Sequence, residues 1–270
     1  VQGWSTSKLK VHFAGEGGAP LGPTLGLLKS GVKYRLQSYY DIYKRNAIFN
    51  IGDVNKFNHT IIDSGLFTLM FGSESQSNIT EGFIDEWQNL YINFINKTPF
   101  KNASFVECDV QKKISPEYAW EKREEMKRLV NRGEIINVYH LEDGNPDKLI
   151  HYSDYIAISI PELRLNVSNK ERYDITKYIA TKAMSKGKKV HLLGCTEKKY
   201  LKDFSYCYSC DSTAWQSAFR YGWSKTDAFG KIPMKQIRSA VNGEVDPMND
   251  IYWSSYFSLK DYETYAGCQN

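Results

Sequence analysis

Tyr155–Gly194, YIAISIPELRLNVSNKERYDITKYIATKAMSKGKKVHLLG, holds one complete unit of the pattern from which the architecture can be read. A β-branched and small apolar run, Tyr155–Ile160, gives way to a polar loop, then to an amphipathic stretch, Tyr173–Lys186, that stops at Gly187, and then to a second β-branched run, Lys189–Leu193. The period-2 and period-3.6 patterns follow one another in the order strand, helix, strand. A connection of that length returns the chain to the same end of the sheet, which makes a right-handed βαβ unit with parallel strands.

Outward from this unit the same pattern recurs. Six further runs read as strands: Lys10–Ala14, Tyr34–Tyr39, Thr60–Asp63, Ser104–Asp109, Ile135–His140 and Tyr206–Asp211. Amphipathic stretches lie between them. Leu21–Ser30 ends at Gly31, Phe83–Asn96 ends before Pro99, and Pro116–Arg132 has Ser115 as N-cap, Pro116 at its first position and Gly133 at its end. Pro146–Tyr152 has room for only a turn or two. A doubly wound sheet usually stops at about five to seven strands and carries a glycine fingerprint after the first. Here Gly15–Gly18, GEGG, lacks the full G-x-G-x-x-G form and reads as a tight turn. The reading is therefore an α/β protein, a (β/α)8 TIM barrel. The barrel is expected over residues 9–229, with 1–8 as an N-terminal arm or cloning remnant and 230–270 as a C-terminal extension packed on it.

Composition sets the boundaries of class. With 41% hydrophobic and 24% charged residues the chain falls among globular proteins, not disordered or membrane-spanning ones. The opening residues have no apolar signal core, so the expected location is the cytoplasm. Five cysteines, an odd and scattered set, do not form a disulfide framework, and the sequons at Asn58, Asn78, Asn96, Asn102 and Asn166 read as chance. A net charge of +4 permits nucleic-acid binding without requiring it.

In a TIM barrel the chemistry lies where strands end and βα loops begin. Those ends are acidic: Asp63, Glu107, Asp109, Glu142, Asp143 and Asp211, with His140 among them. An isolated strand-end Asp is ordinarily a helix cap or loop carboxylate. Asp63 and Asp211 stand apart because each closes an apolar strand and each opens an Asp-Ser-small tripeptide. Two carboxylates across a barrel mouth suit glycosidic-bond chemistry, one acting on the anomeric carbon and one on the leaving-group proton.

At these residues the sequence resembles the tRNA-guanine transglycosylase superfamily, over roughly Leu9 to Tyr221. DSGLF (Asp63–Phe67) looks like the family's D-S-G-x-F segment, and CDV (Cys108–Val110) falls at its Asp-Ile-Pro turn. YIAISIPEL (Tyr155–Leu163) is similar to the strand lining its base pocket, VHLLGC (Val190–Cys195) to its H-L-x-G strand, and CDSTAW (Cys210–Trp215) to its nucleophile segment.

The resemblance implies Asp211 as nucleophile and Asp63 as general acid/base. It implies a base pocket of Asp109, Ser64, Gly65, Phe67, His140, the backbone of Ala157, Ile158 and Ser159, Gly194 and Trp215, with phosphates met by Lys198, Lys199 and Lys202. The fifth strand departs from the family, reading YHLEDG where its members have Gln-Gly-Gly, so His140 or Glu142 takes the Gln position. No histidine follows His191, so the family's C-x-C-x-x-C…H zinc site cannot be built. That departure points to the DNA-directed phage and bacterial branch. The implied reaction replaces guanine in DNA by a 7-deazaguanine through a glycosyl-aspartate, without metal or redox cofactor, in a bacterial or phage-infected cell. The rivals are the same exchange on tRNA with a partner subunit, a plain glycosidase, and a non-catalytic nucleic-acid-binding barrel.

Cys207 and Cys210 resemble a metal motif, C-x-x-C. Residues three apart on a strand point to opposite faces, so the pair reads as apolar packing before Asp211. A zinc site built from His191 and Cys195 is likewise not expected.

Overall fold

The computed structural model describes residues 9–15, 23–44, 49–71, 79–217, 221–227, 230–240 and 247–266. Eight strands close into a barrel in sequence order: β1 Lys10–Ala14, β2 Tyr34–Ser38, β3 His59–Asp63, β4 Ala103–Val106, β5 Glu134–Tyr139, β6 Tyr155–Ser159, β7 Lys189–Leu193 and β8 Ser209–Ser212. All eight ladders are parallel, and β1 pairs with β8 from Lys10↔Ser209 to Phe13↔Ser212 to shut the cylinder. This is the (β/α)8 architecture expected from the alternating patterns.

Side chains alternate across each strand, so parity decides what faces the barrel axis. Leu36, Ile61, Val106, Ile136, Val138, Tyr155 and Ala157 form the inner apolar cluster. Their neighbours Ile156, Ile158, Val190 and Leu192 face outward into a second cluster shared with the helices. Lower in the barrel the filling is polar. His12 Nε2 meets His59 Nδ1 at 2.9 Å, His59 Nε2 meets Ser104 Oγ at 3.0 Å, and Ser209 Oγ lies 2.6 Å from both His191 Nδ1 and the Tyr155 hydroxyl. Burial holds the His12 imidazole well below its ordinary pKa and lowers that of His59 to about 3. Both rings are therefore neutral and exchange hydrogen bonds without burying charge.

The ring of helices comprises α1 Pro23–Lys29, α2 Ile51–Val54, α3 Glu81–Lys97, α4 Pro116–Leu129, α5 Asp147–Tyr152, α6 Asn169–Ser185, α7 Lys198–Asp203 and α8 Pro247–Ala266. Caps begin them as the sequence directs. Thr80 accepts from the Phe83 N–H, Ser115 from Tyr118, and Ser168 forms a capping box with Glu171. After β8 come a 3-10 turn, Ala214–Gln216, the antiparallel hairpin β9 Trp223–Thr226 and β10 Gly230–Pro233, and a short helix, Met234–Ala240.

α8 packs against both α1 and α7. Ser255 Oγ donates to Ser30 Oγ at 2.7 Å, and Tyr262 reaches Thr196. The stretch read as an extension thus supplies the helix between α7 and α1. Residues 1–8 and 16–18, read as an arm and as part of the GEGG turn, lie outside the described residues. No described helix is long and apolar enough to cross a membrane.

Candidate active site

Strand parity delivers the two aspartates to the same place. Asp63 follows in-facing Ile61 by two residues and Asp211 follows in-facing Ser209 by two, so both project inward at the carboxyl ends of their strands.

Asp211 is buried, and two donors converge on one of its oxygens. The Gly194 N–H donates to Oδ1 at 2.7 Å, and His191 Nε2 lies 3.0 Å from the same atom. His191 is in turn fixed by Ser209 and, through it, by Tyr155. This chain of buried groups sets the carboxylate's orientation, and among the described residues its Oδ2 accepts no hydrogen bond. Gly194 is required for the contact: its φ is +65°, and a Cβ there would lie 2.7 Å from Pro161 Cγ.

Asp63 sits in a different environment. Its Oδ1 accepts the Gly65 N–H at 2.5 Å, closing a tight Asx turn. Gly65 has φ +73°, and a Cβ would press to 2.4 Å on Tyr40 Cβ. Burial, then the charge of Asp109, raises the Asp63 carboxyl to about 7, with a smaller contribution from Asp211, while the Gly65 N–H opposes the rise. Asp109 and Asp211 thus lie close enough for their charges to reach Asp63.

Asp109 is held by His140. His140 Nε2 lies 2.9 Å from Asp109 Oδ2, and its Nδ1 lies 2.6 Å from Glu162 Oε2. Burial lowers the pKa of this imidazole, but the two carboxylates override burial and raise it to about 10.

Several other expected residues fall elsewhere. Phe67 is exposed at the rim, on the short helix Leu66–Phe71. Ser64 is fully buried; its carbonyl accepts the Trp87 indole N–H at 3.0 Å, and its side chain is turned from the mouth. Trp215, placed in the base pocket by the resemblance, is 1% exposed, packs on Phe13 and donates to the Ala14 carbonyl at 2.8 Å. The ring belongs to the core between β1 and α8. Ala157, Ile158 and Ser159 occupy β6, with Ile158 facing outward and Ser159 preceding the short helix Ile160–Asn166.

Lys198, Lys199 and Lys202 lie on α7 after β7; Lys198 pairs with Asp227 and Lys199 with Asp203. Exposed pairs of this kind contribute little to stability.

Glu107, counted among the strand-end acids, faces outward by parity. Arg123 of α4 grips it through Nε at 2.8 and 3.0 Å, reaches Asp143 at 3.0 Å through Nη1, and donates to the Val138 carbonyl. Asp143 in turn accepts the His140 N–H at 3.0 Å. This buried network anchors the β4 and β5 ends behind the mouth. Cys207 and Cys210 are buried thiols in one apolar cluster outside the barrel, and burial pushes the Cys207 thiol up. β8 begins only at Ser209, so Cys207 lies in the turn before it rather than across the strand.

The sequence reading did not pair His191 with Asp211. The signal was available, since His191 and Ser209 are register partners and share inward parity. Glu162 left no comparable trace, because nothing in IPEL announces that its side chain turns back to β5.

A surface cavity of about 950 Å³ between α4 and α5, lined by Trp120, Glu124, Lys148 and Tyr152 among others, holds none of the expected site residues.

Fold and site together define a (β/α)8 barrel with a carboxylate-lined mouth at the carboxyl ends of its strands. No family model and no curated protein sequence matches the chain.

Proposed function

We propose that this protein is a guanine transglycosylase that replaces guanine in DNA by a 7-deazaguanine base. The observation that carries the reading is the pairing of two inward carboxylates in unlike settings. Asp211 is oriented through one oxygen by Gly194 and His191, whereas Asp63 is raised toward neutral pH by burial and by its acidic neighbours. Environments that separate two carboxyl groups in this way suit a nucleophile and an acid/base.

A guanosine flipped out of its stack, at a cost of a few kcal/mol, presents C1′ to Asp211. Oδ2 attacks C1′ as the bond to N9 breaks, and the departing base takes a proton from Asp63. The transition state is oxocarbenium-like, and the carboxylate beneath C1′ stabilises its charge. The incoming 7-deazaguanine then gives its N9 proton to Asp63 and attacks C1′, expelling Asp211. Two inversions retain configuration. Asp109, held by His140, accepts from the N1–H and exocyclic amine edge of the base. The choice of DNA over tRNA rests on the sequence resemblance alone.

The test is release of labelled guanine from duplex DNA, from tRNA and from simple glycosides, with and without a 7-deazaguanine, beside denaturing gels that trap an enzyme–nucleic acid adduct. Release from DNA that depends on the added base, with an adduct absent in Asp211→Asn, is the expected result. Release from tRNA alone overturns the polymer, glycoside hydrolysis overturns the reaction class, and exchange that persists in Asp211→Asn overturns the nucleophile.

A further inference from the structure

We propose that His140, Glu162 and Glu142 form a binding site for a divalent transition-metal ion beside Asp109. One ligand atom from each of the three side chains can be chosen so that all lie within 4.8 Å of one another. Acidic clusters are common on protein surfaces, so the proposal rests on what is buried here. Glu162 is 7% exposed, yet neither of its carboxylate oxygens has a hydrogen-bond partner, and His140 Nδ1 has none either. Nδ1 and Glu162 Oε2 approach to 2.6 Å without the alignment of a hydrogen bond. That charge contact serves Oε2 alone; Glu162 Oε1 is left without a partner, a costly state for a buried carboxylate oxygen that a bound cation relieves.

The other side of the imidazole fits the same role. His140 Nε2 is bound to Asp109 Oδ2 at 2.9 Å, so the Nε2 proton stays on that carboxylate when an ion displaces the Nδ1 proton and takes up that nitrogen's lone pair beside Glu162. A carboxylate that orients a histidine while its opposite nitrogen binds the ion is the usual outer support of a metal site. Glu142 is exposed in the turn Leu141–Asp143 and provides both the third ligand and the solvent side through which an ion enters. The Arg123–Asp143 network fixes this turn, because Asp143 also accepts the His140 N–H.

One imidazole nitrogen and two carboxylates, with positions left for water, suit Zn2+ or Mn2+. Ca2+ and Mg2+ prefer all-oxygen shells, and Cu(I) prefers sulfur. The site differs in every residue except its use of a histidine from the zinc site weighed around His191 and Cys195. It does not depend on the base-exchange reading, since an ion there would position Asp109 whatever Asp109 binds.

The experiment titrates the chelator-treated, dialysed full chain with Mn2+, followed by electron paramagnetic resonance, and with Co2+, followed by its visible absorption. A single ion per chain is expected. Affinity should fall about 10-fold or more in Glu162→Gln and in the exposed, structurally harmless Glu142→Gln, and by about 10-fold in Asp109→Asn. Lack of saturable binding at ion concentrations on the order of 1 mM overturns the proposal. So does unchanged affinity in Glu142→Gln and Glu162→Gln variants whose circular dichroism matches the parent. Because the readout is ion binding, a failure here leaves the base-exchange reading standing, and the converse also holds.

Discussion

Replacing Asp63 by asparagine tests the electrostatics of the mouth directly. In the folded chain this carboxyl titrates at about 7, against an ordinary value of 3.8. The folded state therefore binds the proton more tightly than the unfolded state does. Its contribution to stability is whole below the unfolded pKa and is lost as pH climbs through the folded pKa. One pH unit within that window corresponds to about 1.36 kcal/mol, so from about pH 5.5 to about pH 8.5 the loss is roughly 2 kcal/mol, nearly all of it below pH 7. The substituted amide remains neutral throughout and can still accept the Gly65 N–H through its oxygen. Asp63→Asn should thus gain roughly 2 kcal/mol on the parent across this range, measured by urea unfolding with tryptophan fluorescence at each pH. Parallel stability profiles for the two proteins would refute the reasoning, because they would mean that Asp63 ionises as freely when folded as when unfolded.

Other substitutions separate the site from its supports. Gly194→Ala forces a side chain onto Pro161 at φ +65° and pulls the N–H from Asp211; it should cost about 1–3 kcal/mol by thermal melting and lower turnover more than substrate affinity. Arg123→Met strands Glu107 and Asp143 in the interior and should destabilise by about 3–5 kcal/mol, and Arg123→Lys should rescue little because a lysine cannot reproduce the fork. Trp215→Phe removes the bond to the Ala14 carbonyl and part of the ring's packing on Phe13, so a loss of about 1–3 kcal/mol with unchanged base affinity is expected, and weakened base binding would return the ring to the base pocket.

The barrel was legible because its code is local. Tyr155–Ser159 and Lys189–Leu193 are β-branched, the intervening helix is capped by Ser168 and stopped at Gly187, and the other units repeat that grammar. Asp63 and Asp211 were legible for a related reason: two-residue parity carries an inward Ile61 or Ser209 onward to an inward acid. What escaped depends on contacts made across the chain. Glu107 lies beside acids in the sequence, yet parity turns it outward to Arg123 on the next helix. Trp215 stands close behind Asp211 in the sequence but is claimed by Phe13 and by the Ala14 carbonyl, 201 positions away. α8 is Tyr- and Trp-rich without a clean apolar stripe, and only its seat between α1 and α7 reveals its place in the ring.

That seat has a consequence for biogenesis. β1 pairs with β8, and Ser30 at the end of α1 meets Ser255 of α8 across 225 positions. A ribosome that has delivered β1 through β7 therefore holds a half-rolled, seven-stranded sheet whose first strand has one bare margin and whose first helix lacks a flank. Contacts so distant in sequence form late and slowly, and a bare strand margin invites a neighbouring chain to add to it. The interval before this seam closes is thus the one in which another chain can most readily add to this one, at the free margins of β1 and β7 rather than at the acidic mouth.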